Sequence, residues 1–360
     1  MHASVLSQAD RANDGHQIDD ATVWQASDFP DDRRYVLALD AQMAAEIVAQ
    51  ARRGLADGLT PDTVTSENFA LPLCAAVLAR AYTQVEHAPG FSLVSGFPVT
   101  QLKEPELRLA YAGFCSYFGN ITIQNRDREQ VLEVTDKGKS YSLQSRGYHS
   151  TVHLDFHNDG TNTVALLCTQ TAAAGGVSQL LSGPAVYNQI ARERPDLLAP
   201  LLRGFHHHRR DQLDPGDAPV TPYRTPVFSF TDDLFHMAYA GPSIMYCEEE
   251  GIVINDHEKE ALGFFTEVCA RAHLHVAMEL RQGDIQLVNN YLVLHSRTAY
   301  RDSPEQVRRL LRLWLDDPRS ARLGPGKMDW YLPALSRFTR MGLVAGLEHQ
   351  STGETANDQR

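Results

Sequence analysis

Three polar clusters in this chain have the residue types and spacing for metal chemistry. His157-Asn158-Asp159 sets an imidazole and a carboxylate two positions apart, so on extended backbone both point to one side. Leu294-His295 supplies a second imidazole far along the chain. Two histidines and one carboxylate on one face of an iron ion leave three coordination positions open. The third cluster is the basic run Arg308-Arg309-Leu310-Leu311-Arg312-Leu313-Trp314. Read as a strand, it puts Arg308, Leu310, Arg312 and Trp314 on one face and Arg309, Leu311, Leu313 and Leu315 on the other. Two guanidinium groups on a largely apolar face are costly unless each meets an anion. A five-carbon dicarboxylate offers two carboxylates, each of which guanidinium can grip with a two-toothed fork. The combination points to a ferrous centre whose open positions take 2-oxoglutarate and O₂.

Each cluster also has a plainer reading. Asn158-Asp159-Gly160 is a polar turn, and His-x-Asp arises often by chance. His153-Leu154-Asp155 repeats the same spacing four residues earlier, and side-chain chemistry does not choose between the two. Asp159 does lead directly into the apolar run Val164 to Leu167. His295 follows Gly283 through Asn290, rich in hydrogen-bonding side chains of the kind that fix an imidazole tautomer. The arginines could instead form structural ion pairs in so acidic a chain. Gln124, Asn125, Arg146, Tyr148, Asn162, Asn290 and Arg297 lie in or beside the motifs and are candidate substrate contacts. His206-His207-His208 resembles a metal tract, but three adjacent histidines on regular backbone cannot all face one ion. A solvated loop, or one flanking the pocket, is expected there, and Glu248-Glu249-Glu250 reads as a solvated turn.

The elements that must position these residues are legible in part. Asp40 can cap a helix carrying Met43, Ala44, Ile47, Val48 and Ala51 at helical spacing. Leu73, Val77, Ala81 and Tyr82 mark a second helix, and Leu107, Tyr111, Phe114, Cys115 and Phe118 a third, stopped by Gly119. Short strands then dominate: 91–94, 131–134, 164–167, 226–230, 285–288 and 307–315, with helices after Pro184 and over 259–273. Strands that cluster without a helix between each pair argue for an α+β chain with a mainly β core, a double-stranded β-helix or jelly roll flanked by helices. The expected organisation is a poorly ordered segment over 1–35, one domain over 36–345 and a polar tail over 346–360.

With 360 residues and 43% hydrophobic content the chain can bury a large core. A net charge of −12 argues against nucleic-acid or anionic-membrane partners. No apolar run approaches a membrane span, and no targeting segment is evident. Five cysteines without a Cys-x-x-Cys pair fit reduced, buried thiols in a cytoplasm and give no zinc or disulfide framework.

The order of these motifs resembles the taurine dioxygenase and γ-butyrobetaine hydroxylase superfamily. The resemblance rests on Leu154 through Gly160, then Leu166-Leu167-Cys168 leading to Ala174-Gly175-Gly176-Val177-Ser178. It continues with Gly283 through Asn290, Leu294-His295-Ser296-Arg297 and the Arg308 to Leu315 strand. It spans roughly residues 85 to 320 and selects His157 over His153. It implies that His157, Asp159 and His295 bind Fe(II) and that Arg308 pairs with the distal carboxylate of 2-oxoglutarate. Ser178, where the family often has Thr, would hydrogen-bond the same carboxylate. Arg312 would sit near the carboxylate that chelates iron. A carboxylate at 159 favours hydroxylation over halogenation, since halogenating relatives carry a small residue there. Hydroxylation of a small molecule is therefore the expected activity, with desaturation or oxidative cleavage as variants and a homo-oligomer as a family-level expectation. A zinc hydrolase built on the same ligands would leave Arg308 and Arg312 without purpose. A binding protein that has lost turnover is the remaining alternative.

Overall fold

Asp40 starts the first long helix as its position predicts. Its carboxylate accepts from the backbone N–H of Gln42 and Met43, satisfying donors a helix start otherwise leaves open. Helix α1 (Ala41–Ala56) buries Ala44, Ile47, Val48 and Ala51 along one stripe. Helix α2 (Ala75–Glu86) buries Leu78, Ala81 and Val85. Helix α3 (Glu104–Cys115) runs on through a short 3₁₀ turn, Ser116–Phe118, and Gly119 ends it. The structure, a computed structural model, describes residues 17–125, 127–138, 142, 147–213, 216–231 and 233–322.

Strands β1 (Val36–Ala38) and β2 (Phe91–Ser95) flank the first two helices, and β3 (Asn120–Thr122) and β4 (Leu132–Val134) follow α3. The first metal motif lies at the join of β5 (Leu154–His157) and β6 (Thr163–Gln170). Next come β7 (Ala174–Gly175), β8 (Ser178–Ser182) and the helices α4 (Gly183–Glu193) and α5 (Leu198–Arg203). A hairpin of β9 (Phe228–Thr231) and β10 (Leu234–Met237) precedes α6 (Gly241–Met245) and α7 (Asp256–Cys269). The chain closes with β11 (His275–Met278), β12 (Ile285–Asn289), β13 (Val293–Arg297), β14 (Tyr300–Arg301) and β15 (Arg309–Asp316).

Two sheets result. The larger has the order β1-β2-β12-β6-β15-β3, with β4 also paired to β15; the smaller is β11-β8-β13-β5. Every pairing in them is antiparallel except β1 with β2. The alternation along β15 sets the layers. Leu311, Leu313 and Leu315 pack with Ile47, Leu78 and Phe114 of the N-terminal helices. Leu310 and Trp314 pack on the opposite side, in the core that also holds Leu180, Leu181 and Leu294 of the smaller sheet. The larger sheet therefore lies between the helices and the smaller sheet, and Arg308 and Arg312 face the space between the sheets. Helix α7 contributes Ala261, Leu262, Phe265 and Val268 to that same core, together with Val186 and Ile190 of α4.

The expected disorder over 1–35 does not extend to residues 17–35. Trp24 is buried, donates its indole N–H to the Pro89 carbonyl at 2.8 Å and meets Phe29 and Phe91 edge-on. The Asn188 amide holds both the N–H and the C=O of Ile18. Three aromatic rings, Trp24, Phe29 and Tyr35, anchor a segment whose average composition is polar. Residues 1–16 and the expected tail over 346–360 lie outside the described residues.

Asp316, at the end of β15, is buried beside Asp317, and burial followed by that neighbouring charge pushes its carboxyl up to about 6. In the unfolded chain the group ionises near ~3.9. Its cost to the fold is thus absent below about pH 3.9, grows as pH rises to 6, and is constant above. Asp316→Asn should stabilise the protein by on the order of 2–3 kcal/mol at pH 8 and by almost nothing at pH 4. Urea midpoints at the two pH values test this; equal gains at both would remove the charge as the cause.

Candidate metal centre

A bulge in β5 sets which side chains face the inter-sheet cavity. His157 pairs with His295 of β13, yet Arg297, two residues on, pairs with Leu154, so β5 carries one residue more than its partner. The extra residue lets Leu154 and His157 both line the cavity, while His153 and Asp155 meet each other on the outside, 3.4 Å apart and largely exposed. The rival pair lies outside this cavity, and of the two histidines only His157 lines it.

His157, Asp159 and His295 each offer a ligand atom, and these atoms all lie within 4.8 Å of one another. The imidazole rings of His157 and His295 have centroids 4.4 Å apart, and His295 Nε2 lies 3.8 Å from Asp159 Oδ2. His157 Nδ1 is 2.8 Å from the Asp155 carbonyl; donation there leaves Nε2 with its lone pair free for a metal. Among the described residues this is the one cluster of three or more such groups close enough to hold an ion. Neutral imidazoles with one carboxylate suit a divalent first-row ion such as ferrous iron.

The turn carrying Asp159 is fixed from several sides. The Asn158 backbone N–H donates to the Tyr239 carbonyl, and the Asn158 side chain binds both the Val293 carbonyl and the Tyr239 N–H. The Asp159 N–H donates to Asn290 Oδ1 at 3.0 Å. Its carboxylate receives the Trp314 indole N–H at 3.1 Å and faces Arg312 Nη1 at 3.4 Å. Burial works against ionising this carboxyl, but the Arg312 charge, helped by that of the two histidines when they are protonated, outweighs it and holds Asp159 below the usual carboxylate range. A metal ion arriving here would meet a carboxylate already ionised. Arg312 is steered in turn by Gln124, which accepts from its Nε at 2.7 Å and donates to its backbone carbonyl.

Arg308 lines the same cavity with Val134, Leu166, Ser178, Leu280 and Leu310. It is buried, and its Nη1 has no hydrogen-bond partner among the described residues. An orphaned guanidinium nitrogen in an apolar cavity fits a carboxylate that arrives with a ligand. Ser178 Oγ, also on the cavity wall, bonds the Gln286 amide at 2.9 Å. The two glycines before Ser178 have separate duties. Gly175 has φ +76, and a Cβ on it would lie 2.3 Å from the Ala299 carbonyl oxygen; Gly176 has φ +73, and its Cβ would press on the Arg308 side chain at 3.0 Å. Gly176→Ala should displace Arg308 and raise the half-saturating concentration of any dicarboxylate ligand at least about tenfold. An unchanged value in a ligand titration would sink that account.

The other sequence candidates are scattered. Asn125 spends its amide on Glu129, accepting from its N–H and donating to its carboxylate, so it shapes its own loop. Asn290 backs the metal-ligand turn, and Asn162 lies against it through the Asn290 N–H donated to the Asn162 carbonyl. Arg297 lines the cavity itself. Tyr148 lies in the short turn Gly147–His149, and Arg146 is outside the described residues. The solvated loop expected at His206–His208 is not what forms. His207 is fully buried, where burial drives its pKa down to about 3, and His208 is buried 3.3 Å from Glu250. Neutral imidazole is tolerated inside a core, which composition alone could not disclose. Sequence reasoning missed Trp314 as a donor to Asp159, although its shared face with Arg308 and Arg312 carried the signal.

Comparison with known proteins agrees with this geometry. The family model for the taurine catabolism dioxygenase TauD, TfdA family matches residues 56–314. FR-33289 synthase of Streptomyces rubellomurinus is 30% identical over 308 residues, covering 82% of this chain and 89% of that protein. The taurine hydroxylase-like protein SAT17 of Stachybotrys chartarum is 26% identical over 331 residues, 86% of this chain and 83% of its own. Among solved structures, asparagine oxygenase in complex with Fe(II), 2S,3S-3-hydroxyasparagine and succinate superposes with a TM-score of 0.61 at 17% identity, covering 82% of this chain and 98% of that one. A dioxygenase family sets aside both the hydrolase and the non-catalytic alternative. The chain belongs to the TauD, TfdA family of iron- and 2-oxoglutarate-dependent dioxygenases.

Proposed function

We propose that this enzyme hydroxylates an unactivated C–H bond of a small molecule, of the amino acid, betaine, sulfonate or natural-product class, with 2-oxoglutarate converted to succinate and CO₂. The observation that carries the reading is one cavity with a His157, Asp159, His295 ligand set at one point and the orphaned Arg308 nitrogen at another. Ferrous iron with 2-oxoglutarate and O₂ supplies, when bound, the oxidising power to attack such a bond. The protein's own work is placement. His157, Asp159 and His295 hold the metal, and Arg308 with Ser178 receives the distal carboxylate of the cosubstrate. Arg312, steered by Gln124, keeps Asp159 ionised and sets a positive charge beside the ketoacid end. Val134, Leu166 and Leu310 make the wall around the cosubstrate apolar, which strengthens those charge contacts and keeps bulk water away.

The two-sheet arrangement supports a double-stranded β-helix as the scaffold for this chemistry, with β5, β8 and β13 facing β6 and β15 across the cavity. No described helix is long and apolar enough to cross a membrane, and all five cysteines are free and buried, which supports work in the cytoplasm. Screening a metabolite set for oxygen- and iron-dependent succinate formation, with the product heavier by one oxygen atom, tests the reading. Succinate release coupled to a desaturated or cleaved product would redirect it, and product formed without O₂ would end it.

A further inference from the structure

Two buried cations of the cavity wall, Arg297 and Arg308, share one aromatic ring, that of Tyr300. The guanidinium carbon of Arg297 lies 4.7 Å from the Tyr300 ring centroid, and that of Arg308 lies 5.1 Å from the same centroid. Arg297 sits two residues after His295 on β13, so one strand delivers a metal ligand and this cation to the same cavity. We propose that Arg297 is a second cation for the distal carboxylate of the dicarboxylate cosubstrate, acting with Arg308 beside Tyr300. The inference rests on the reading of Arg308 given above.

Charge accounting supports it. Arg297 donates Nη2 to the carbonyls of Ser150 and Val152, which satisfy donors but bring no negative charge. Its Nε is buried without a partner, as is Nη1 of Arg308. Among the described residues neither guanidinium forms an ion pair. The acids that act on this corner are Asp136 and Asp302, both partly exposed, and Asp302 Oδ1 accepts the Arg308 backbone N–H rather than its side chain. Both guanidinium groups are buried against the same ring, so two like charges are confined together. Such a pair destabilises the empty protein and is relieved when an anion enters. One carboxylate between two guanidinium groups accounts for both orphaned nitrogens. The rival is a purely structural Arg297 that ties residues 150–152 to β13.

Equilibrium binding of glutarate and 2-oxoglutarate to the metal-free full-length protein, measured by calorimetry at low ionic strength, separates the two. Arg297→Gln should weaken both ligands at least about tenfold, while melting of the ligand-free protein holds steady or rises. Arg297→Lys, which keeps the charge and loses the fork to Ser150 and Val152, should bind within about threefold of the parent. Parental binding by R297Q, or a fall in ligand-free melting temperature with R297K as weak as R297Q, overturns the proposal. Should R297Q fail to fold, R297K decides: near-parental binding supports the proposal and a loss beyond tenfold overturns it. Arg308→Gln is the separate arm. If it binds glutarate like the parent, the cosubstrate reading itself fails; if it loses binding while R297Q does not, only this inference falls.

Discussion

Asp159→Ala is expected to reduce substrate-dependent succinate formation more than about 100-fold, with iron retention falling in parallel. Even residues that merely support metal ligands contribute roughly 10–100-fold, and on the proposed reading Asp159 is itself a donor. The substitution also removes the anion that Arg312 and Trp314 face. Arg312 is then a buried cation beside the two imidazoles, a field that opposes binding of a divalent ion. Asp159→Asn keeps the shape and the Trp314 contact but not the charge, so it should lose iron affinity almost as fully. Iron content after gel filtration and succinate release check both variants, with circular dichroism to confirm the fold. Near-parental turnover by the alanine variant would take Asp159 out of the metal site.

Arg308→Met should leave metal binding intact and raise the KM for 2-oxoglutarate by roughly 30- to 3000-fold. Removing one partner of a buried charge-assisted contact costs about 2–5 kcal/mol, and each ~1.4 kcal/mol is a factor of ten. The unliganded protein should not suffer in proportion. Its guanidinium is already short of a partner at Nη1, and burial lowers its pKa, so methionine relieves a desolvation cost while refilling the apolar wall. Saturation kinetics in 2-oxoglutarate and melting of the metal-free protein measure the two effects. A large drop in melting temperature with unchanged KM would make Arg308 a structural residue. The contrast with Arg309 on the opposite face is instructive: it reaches Glu104 at 2.7 Å and Glu133 at 3.0 Å, so its charge is spent within the protein.

The sequence by itself carried what depends on local periodicity and donor chemistry. Alternation along 308–315 separated the cavity-facing arginines from Leu311, Leu313 and Leu315, and β15 keeps that separation because side chains on a strand must alternate. Asp40 announced α1 because a capping carboxylate acts within three residues. His-x-Asp and the distant histidine named a donor set whose chemistry needs no fold to be recognised. Tertiary structure alone decided the rest, because those features depend on residues far apart in the chain. In the sequence only the family resemblance prefers His157 to His153; the β5 bulge, through its register with β13, supplies the physical reason. Trp314 reaches Asp159 across 155 positions, and His207 is neutral because a core closes around it. Trp24 is anchored by a carbonyl 65 residues away, which no local average over a polar segment can register.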